Sequence, residues 1–167
     1  MRLVVAFLTL LTAAPSSEDA LVAALRERLL TAESIAMAKF NSGAPVEDRS
    51  REKTVIFSAV HQAANMGLDA DLALSVFSAQ IEASKNAQRA FLLKWKGRSP
   101  FSYVPDLSKE IRPKLDGLTT VILKCLKNAR HVSGKALQAG PKAPEYDAAW
   151  KTAIRPILRS PVVKNAR

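Results

Sequence analysis

Four polar side chains interrupt the apolar faces of two predicted helices, and their types suit the binding of an anion. In the first helix the apolar positions, written at alternating spacings of four and three, run through Arg28 and Lys39. These cations are 11 residues apart, so at 100° per residue they point within about 20° of the same direction. In the third helix Ser84 and Gln88 interrupt the apolar face one turn apart. Because unpaired buried charge is costly, this arrangement predicts a polar pocket inside a helical bundle.

Two further segments bring charge to the same predicted pocket. Asp48, Arg51 and Glu52 occupy positions i, i+3 and i+4 in the opening turn of the second helix, so they share one face. Arg112 lies beside the apolar face of the fourth helix, close to its start. Together the predicted pocket residues are four cations and two carboxylates, a formal charge of +2. A small dianion would neutralise that charge.

Each of these residues also has an ordinary structural interpretation. Long cations at the edge of an apolar face often extend outward to solvent. Asp48 is a suitable helix N-cap, and the Ser84 hydroxyl can bond to its own helix. The pocket is therefore predicted from the combination of these residues rather than from any one of them.

The elements that must position these residues read as helices. Turn-forming Gly and Pro residues separate the predicted helices, which cover approximately residues 17–43, 48–67, 69–96, 108–132 and 144–154. No segment shows the sustained alternation of a strand. The sequence therefore predicts an all-α fold, a single-domain helical bundle of long helices that share one core.

The amino terminus has the pattern of a secretory signal. Met1 and Arg2 precede a largely apolar run of 12 residues, 3–14, which is shorter than the roughly 20 residues of a membrane-spanning helix. Small residues favour cleavage after Ala14 or after Ser16. We predict a signal peptide over residues 1–16, one domain over 17–167, and a periplasmic or secreted location. The alternative is a buried first helix of a cytoplasmic protein.

The positive charge is concentrated in the second half of the chain. Residues 85–167 carry 18 basic and 5 acidic groups, whereas residues 1–84 carry 7 and 10. Such a field attracts nucleic acid, anionic membrane surfaces or small polyacids. A secreted basic module would use a ridge formed by Lys85, Arg89, Lys94, Lys96 and Arg98. We expect these side chains to form a solvated helix face instead.

Redox and metal chemistry find little support in the sequence. Cys125 is the single cysteine, so an intrachain disulfide is excluded. With only His61 and His131 beside it, the chain has no ligand set for a structural zinc site, and we predict no metal centre.

Three motifs, in order along the chain, resemble those of the secreted, all-helical chorismate mutases. The first runs from Glu27-Arg28-Leu29 through Ala38-Lys39-Phe40 to Pro45-Val-Glu-Asp48-Arg-Ser-Arg51-Glu52. The second is Gln80-Ile-Glu-Ala-Ser84-Lys-Asn-Ala-Gln88. The third is Asp106-Leu107 followed by Ile111-Arg112-Pro113-Lys-Leu115-Asp116. The resemblance covers roughly residues 20–125.

This resemblance implies an isomerase that converts chorismate to prephenate by a [3,3] rearrangement, with no cofactor and no covalent intermediate. It implies that Arg28 and Arg112 bind the two substrate carboxylates, a task that suits guanidinium groups. It also implies that Lys39 contacts a carboxylate and the enol-ether oxygen, and that Gln88 donates to the same oxygen. Lys39 and Gln88 are thus the implied catalytic residues.

The remaining positions implied by the resemblance form the rest of a substrate site. Glu52 and the region of Asp48 would receive the ring hydroxyl, and Arg51 and Ser84 would complete the wall. Relatives of this kind are commonly homodimers with a complete site in each chain. No nucleic acid, and no membrane after signal removal, is expected as a partner. The alternatives are the basic binding module and a noncatalytic relative that binds chorismate.

Overall fold

The computed structural model describes residues 16–129 and 132–161 of the 167-residue chain. Within these ranges it contains no β-strand, and its five α-helices are α1 (Ser17–Ser42), α2 (Arg49–Asn65), α3 (Ala70–Lys94), α4 (Arg112–Asn128) and α5 (Asp147–Arg159). The predicted all-α bundle is therefore confirmed. The predicted signal peptide lies outside the described residues except for Ser16, which caps α1 through a reciprocal capping box with Asp19.

The third helix lies at the centre of the bundle and packs against α1, α2 and α5, while α4 packs on α1 and α2. Large apolar side chains such as Leu25, Phe77 and Ile122 are fully buried in the shared core. Fully buried alanines, including Ala32 and Ala83, occupy the same core. Such small side chains allow α1 and α3 to approach closely, and the polar groups on their facing sides are brought together.

The start of α4 differs from an ordinary helix start. A π-helical turn, Leu107–Ile111, precedes α4, and Pro113 lies in the first turn of α4. The Ile111 amide donates to the Asp106 carbonyl at 3.2 Å, and the Arg112 amide donates to the Leu107 carbonyl, five residues back in each case. A proline ring crowds the carbonyl four residues before it, so a wider turn is a reasonable local solution. The predicted start near residue 108 is thus correct to within one turn.

Two predicted helix ends were wrong. The fourth helix ends at Asn128 rather than Val132, because Ala129 is extended and carries the chain away from the helix axis. The last helix passes through Pro156 and ends at Arg159, beyond the predicted end at residue 154. Burial of Ile157 in the core offsets the lost hydrogen bond of the proline.

The core face of α3 agrees with the sequence pattern in most positions. At alternating spacings of three and four, the pattern predicts a face through Leu74, Phe77, Ile81, Ser84, Gln88, Phe91 and Trp95. Phe77, Gln88, Phe91 and Trp95 are buried as predicted, whereas Leu74 is 43% exposed. Ala73, Val76 and Gln80, which the pattern leaves out, are buried as well. No helix in the described ranges is both long and apolar enough to cross a membrane.

Substitution of Gly140 by alanine is expected to destabilise the carboxyl-terminal part of the bundle. A Cβ at this position would lie 2.5 Å from Cδ1 of Trp150, whose Nε1 donates to the Leu137 carbonyl at 2.7 Å. Displacing this buried indole should lower the free energy of unfolding by about 1–3 kcal/mol. Chemical denaturation measures the change. Gly117→Ala is the control, because its Cβ meets nothing within 4 Å and its helical position should gain up to about 1 kcal/mol. Equal stabilities of the two variants would contradict this account.

Candidate active site

A cavity of about 150 Å³ lies between α1, α2, α3 and the start of α4. All the residues that the sequence analysis assigned to the site line it, and they are Arg28, Lys39, Asp48, Arg51, Glu52, Ser84, Gln88 and Arg112. Apolar side chains that include Ile35, Val55 and Ile81 form the rest of the wall. The cavity therefore combines convergent polar groups with an apolar lining, as small-molecule sites commonly do.

Arg28 is a buried cation whose position is fixed by α4. The side chain is 6% exposed, and its NH1 donates to the Leu115 carbonyl at 3.2 Å and to the Thr119 hydroxyl oxygen at 3.3 Å. The guanidinium also lies over the Phe77 ring, 5.4 Å from its centroid. Burial lowers the pKa of Arg28 to about 10, although the nearby Asp116 carboxylate acts to raise it. Arg28 therefore remains a cation at neutral pH.

Lys39 is a half-buried cation on the same side of α1. Its Nζ donates to the Val46 carbonyl in the loop before α2. Burial lowers the pKa of Lys39 below 10.5, and the carboxylates of Asp48, Glu47 and Glu52 partly oppose this shift. The ammonium is thus partly desolvated and has a single protein acceptor among the described residues, which suits a group that must donate to a ligand.

The first turn of α2 supplies the acidic side of the cavity. Asp48 is the N-cap of α2 and accepts from the Arg51 amide at 3.0 Å, while Glu52 accepts from the Asp48 amide at 3.2 Å. Asp48 therefore caps α2, as expected for an aspartate at this position, and it also lines the cavity. The Arg51 guanidinium lies 3.7 Å from the exposed Asp116 carboxylate.

The polar face of α3 contains one residue more than the sequence analysis proposed. Gln88 donates from Nε2 to the Ser84 oxygen at 3.0 Å, and its Oε1 is buried without a partner. Gln80, one turn before Ser84, is 2% exposed and donates to the Ala153 carbonyl of α5 at 3.2 Å. Its Oε1 is also buried without a partner. The spacing of four from Gln80 through Ser84 to Gln88 was the signal for this residue, and the predicted apolar face used Ile81 instead.

Arg112 is the cation that the start of α4 contributes. The side chain is exposed at the edge of the cavity and donates to the Ser108 oxygen at 3.1 Å. Lys114, a second cation two residues further along α4, instead pairs with Glu27 at 2.8 Å and lines a separate surface groove. The described geometry therefore favours Arg112 over Lys114.

Lys85 was assigned to a solvated basic ridge, and that prediction was wrong. The residue is 9% exposed, lines the cavity, and lies 3.1 Å from Glu52 and 2.5 Å from Glu82. Two other members of the ridge are exposed and paired, Arg89 with Glu47 and Lys94 with Glu145.

The lining of the cavity carries a net positive charge. Five cations and two carboxylates line it, a formal charge of +3, and one of these cations, Lys85, also pairs with Glu82 outside the lining. Because these groups lie close together and several are shielded from solvent, their field is screened less than that of surface charges. The arrangement can bind a small molecule with two carboxylates and direct hydrogen-bond donors at a third atom.

Comparison with known proteins identifies the family. Residues 16–89 match the family described as chorismate mutase type II. A secreted chorismate mutase of Mycolicibacterium smegmatis is 35% identical over 106 residues, which are 62% of this chain and 58% of that protein. The chorismate mutase structure from Burkholderia phymatum has a TM-score of 0.73 at 31% identity and covers 86% of this chain and 98% of its own. The chain belongs to the chorismate mutase family.

Two other relatives define how far the similarity extends. The chorismate mutase structure from Burkholderia thailandensis has a TM-score of 0.76 at 26% identity and covers 86% of this chain and 99% of its own. A secreted chorismate mutase of Yersinia pestis is 31% identical over 100 residues, which are 60% of this chain and 54% of that protein. The matched region thus spans little more than half the length of these curated relatives.

Proposed function

We propose that this protein is a chorismate mutase that converts chorismate to prephenate within the cavity between α1, α2, α3 and α4. The observation that carries the proposal is that one positively charged cavity collects all eight residues implied by the family resemblance. Chorismate carries two carboxylates, a ring hydroxyl and an enol-ether oxygen. A cavity with a formal charge of +3 complements the dianion, and its donors suit the ether oxygen.

Binding and orientation are the tasks of the two arginines. The Arg28 guanidinium, held by Leu115 and Thr119, presents fixed donors to one carboxylate, and Arg112 at the edge of the cavity binds the other. Holding both carboxylates keeps the enolpyruvyl arm over the ring, where the new carbon–carbon bond forms. Positioning of this kind converts a rare substrate conformation into the bound one.

Stabilisation of the developing charge is the task of Lys39 and Gln88. As the ether C–O bond breaks, its oxygen gains negative charge. The Lys39 ammonium and the free N–H of the Gln88 amide donate to that oxygen, while Ser84 holds the amide in place. The electrons move within the substrate, so the protein transfers no proton and forms no covalent bond. Glu52 and the Asp48 region accept the ring hydroxyl.

The assay for this function follows the ultraviolet absorbance of added chorismate. Loss of absorbance with formation of prephenate, together with loss of turnover in Lys39→Ala, is the expected result. A shift of the melting temperature by chorismate without turnover would instead indicate a noncatalytic binding relative. Neither response, together with salt-dependent binding to DNA, would favour the basic module.

We further propose that the protein is exported and forms a homodimer with a complete site in each chain. Relatives named as secreted and the apolar pattern of residues 3–14 support export. The cavity residues all come from one chain, which supports an independent site in each subunit. Fractionation of the producing cells and sedimentation of the purified protein test these two statements. A cytoplasmic protein or a monomer would contradict them.

Thr119→Val is expected to raise KM for chorismate about three- to tenfold with little change in kcat. Valine has nearly the shape of threonine but removes the hydroxyl that accepts from Arg28, so the guanidinium loses one of its two fixed partners. Steady-state kinetics measure the effect, and Thr119→Ser should behave as wild type.

Thr120→Val is the matched control for this prediction. Thr120 is on the same helix, and its hydroxyl donates to Gln62 at 3.1 Å rather than to a cavity residue. An equal change of KM in both valine variants would show that the hydroxyl of Thr119 has no specific role.

A further inference from the structure

Lys85 is a buried cation for which the reaction outlined above has no direct use. Its side chain lies in the cavity wall on α3, between the positions of Ser84 and Gln88. The ammonium is shared by two carboxylates, Glu52 on α2 at 3.1 Å and Glu82 on α3 at 2.5 Å. Only Glu52 of these two lines the cavity. Because Lys85 is part of α3, its ion pair with Glu52 connects the cavity-lining carboxylate of α2 to α3.

The Glu52 carboxylate is fixed through both of its oxygens. Oε1 accepts from the Asp48 amide at 3.2 Å, and Oε2 accepts from the Lys85 ammonium at 3.1 Å. The first bond ties the group to the start of its own helix, and the second ties it to α3. Each carboxylate oxygen can accept about two hydrogen bonds, so both still have capacity for a ligand.

Lys85 is built to remain charged in this position. Burial acts to lower the pKa of Lys85, but the hydrogen bonds to Glu82 and Glu52 outweigh it and the net pKa is raised. A lysine side chain that is 11% exposed and has two carboxylate partners cannot easily turn to solvent. Its position therefore depends on Glu52, and the position of Glu52 depends on it.

We propose that Lys85 is a positioning residue for recognition of the substrate's ring hydroxyl. Lys85 holds the ionised Glu52 carboxylate in place so that it faces the cavity and can accept from that hydroxyl. This inference rests on the proposed function. Lys85 contacts no reacting atom in this account. Its contribution is to the binding of chorismate, because a fixed acceptor loses less freedom when the hydroxyl arrives.

Lys85→Met is expected to raise KM for chorismate by about tenfold or more, with kcat within about threefold of wild type. Lys85→Met removes a hydrogen bond to a charged group, which is worth roughly a tenfold change or more in affinity. Lys85→Arg keeps a cationic donor and should restore KM to within about threefold of wild type. A residue that served packing alone would not be rescued by the larger arginine side chain.

A double-mutant cycle with Glu52→Gln tests whether Lys85 acts through the carboxylate. In the Glu52→Gln background, Lys85→Met should change KM by less than twofold, because the group that it positions has already been neutralised. Lys94→Met is the matched control. Lys94 is also on α3 and is also paired with a glutamate, Glu145, but neither residue lines the cavity. The KM of the Lys94→Met variant should stay within twofold of the wild-type value.

The outcomes separate this inference from the proposed function. Suppose that the wild-type protein turns over chorismate and that Lys85→Met changes KM equally in the wild-type and Glu52→Gln backgrounds. This result would overturn the positioning role of Lys85 and leave the proposed function intact. A wild-type KM in Lys85→Met would do the same. Absence of chorismate turnover in the wild-type protein would overturn the proposed function and this inference with it. If Lys85→Met does not fold, Lys85→Gln takes its place in the cycle with the same expectations.

Discussion

Replacing Lys39 by alanine is expected to lower kcat for chorismate rearrangement by on the order of 10²-fold or more. The partly desolvated ammonium donates to the ether oxygen as charge develops on it, and a methyl group cannot replace that interaction. The thermal stability should change little, because the side chain is half-buried and has one hydrogen-bond acceptor, the Val46 carbonyl, among the described residues. Steady-state kinetics with chorismate measure the loss.

Lys96→Ala provides the control for this prediction. Lys96 is an exposed lysine just beyond α3 and does not line the cavity, so its removal should leave kcat unchanged. A near-normal kcat for Lys39→Ala would show that Lys39 is not a catalytic residue.

The lowered pKa of Lys39 also predicts how kcat/KM changes at alkaline pH. The residue must be protonated to donate, so kcat/KM should fall as the pH rises through its pKa, which burial places below 10.5. This decline should therefore begin at a lower pH than for an ordinary lysine.

Gln88→Ala is expected to lower kcat by a similar factor, on the order of 10²-fold, because the second donor to the ether oxygen is lost. The amide is buried and Ser84 holds it at 3.0 Å, so it is already in place before the substrate binds. An amide donates at every pH. The wild-type protein should therefore keep its kcat from mildly acidic to mildly alkaline pH, and a steep loss between pH 6 and 8 would contradict this assignment.

Gln88→Glu separates the role of the donor from that of packing. The carboxyl group has nearly the shape of the amide but donates only when it is protonated. The activity of this variant should rise as the pH falls and the carboxyl gains its proton, while the wild-type activity stays level. A variant with the same flat pH profile as the wild type would show that the amide is not a donor in the reaction.

The sequence predicted the cavity well because burial imposes a clear pattern on helices. Arg28, Lys39, Ser84 and Gln88 interrupt apolar faces at helical spacing, and such interruptions are costly unless the groups face a polar space. The geometry brings these residues together as expected. Their roles in the reaction come from the family resemblance and remain predictions that the variants above test.

Other features depend on contacts between helices, which spacing within one helix does not reveal. Lys85 resembles its basic neighbours in sequence. Its pair with Glu82 is local to α3, but its second pair, with the less exposed Glu52, depends on the approach of α2. Gln80 was missed because the rotation of α3 in the core depends on packing against α1 and α5. Pro156 signals the end of a helix locally, but burial of Ile157 carries α5 past it.

The proton NMR spectrum of chorismate incubated with the purified protein in D₂O tests the proposed rearrangement most directly. Prephenate is the expected product, with no solvent deuterium at the newly bonded methylene carbon at early times, because the rearrangement moves no proton. The rate should fall on the order of 10²-fold with Lys39→Ala. Unchanged chorismate, or release of pyruvate with an aromatic acid, would show that the protein does not catalyse this rearrangement.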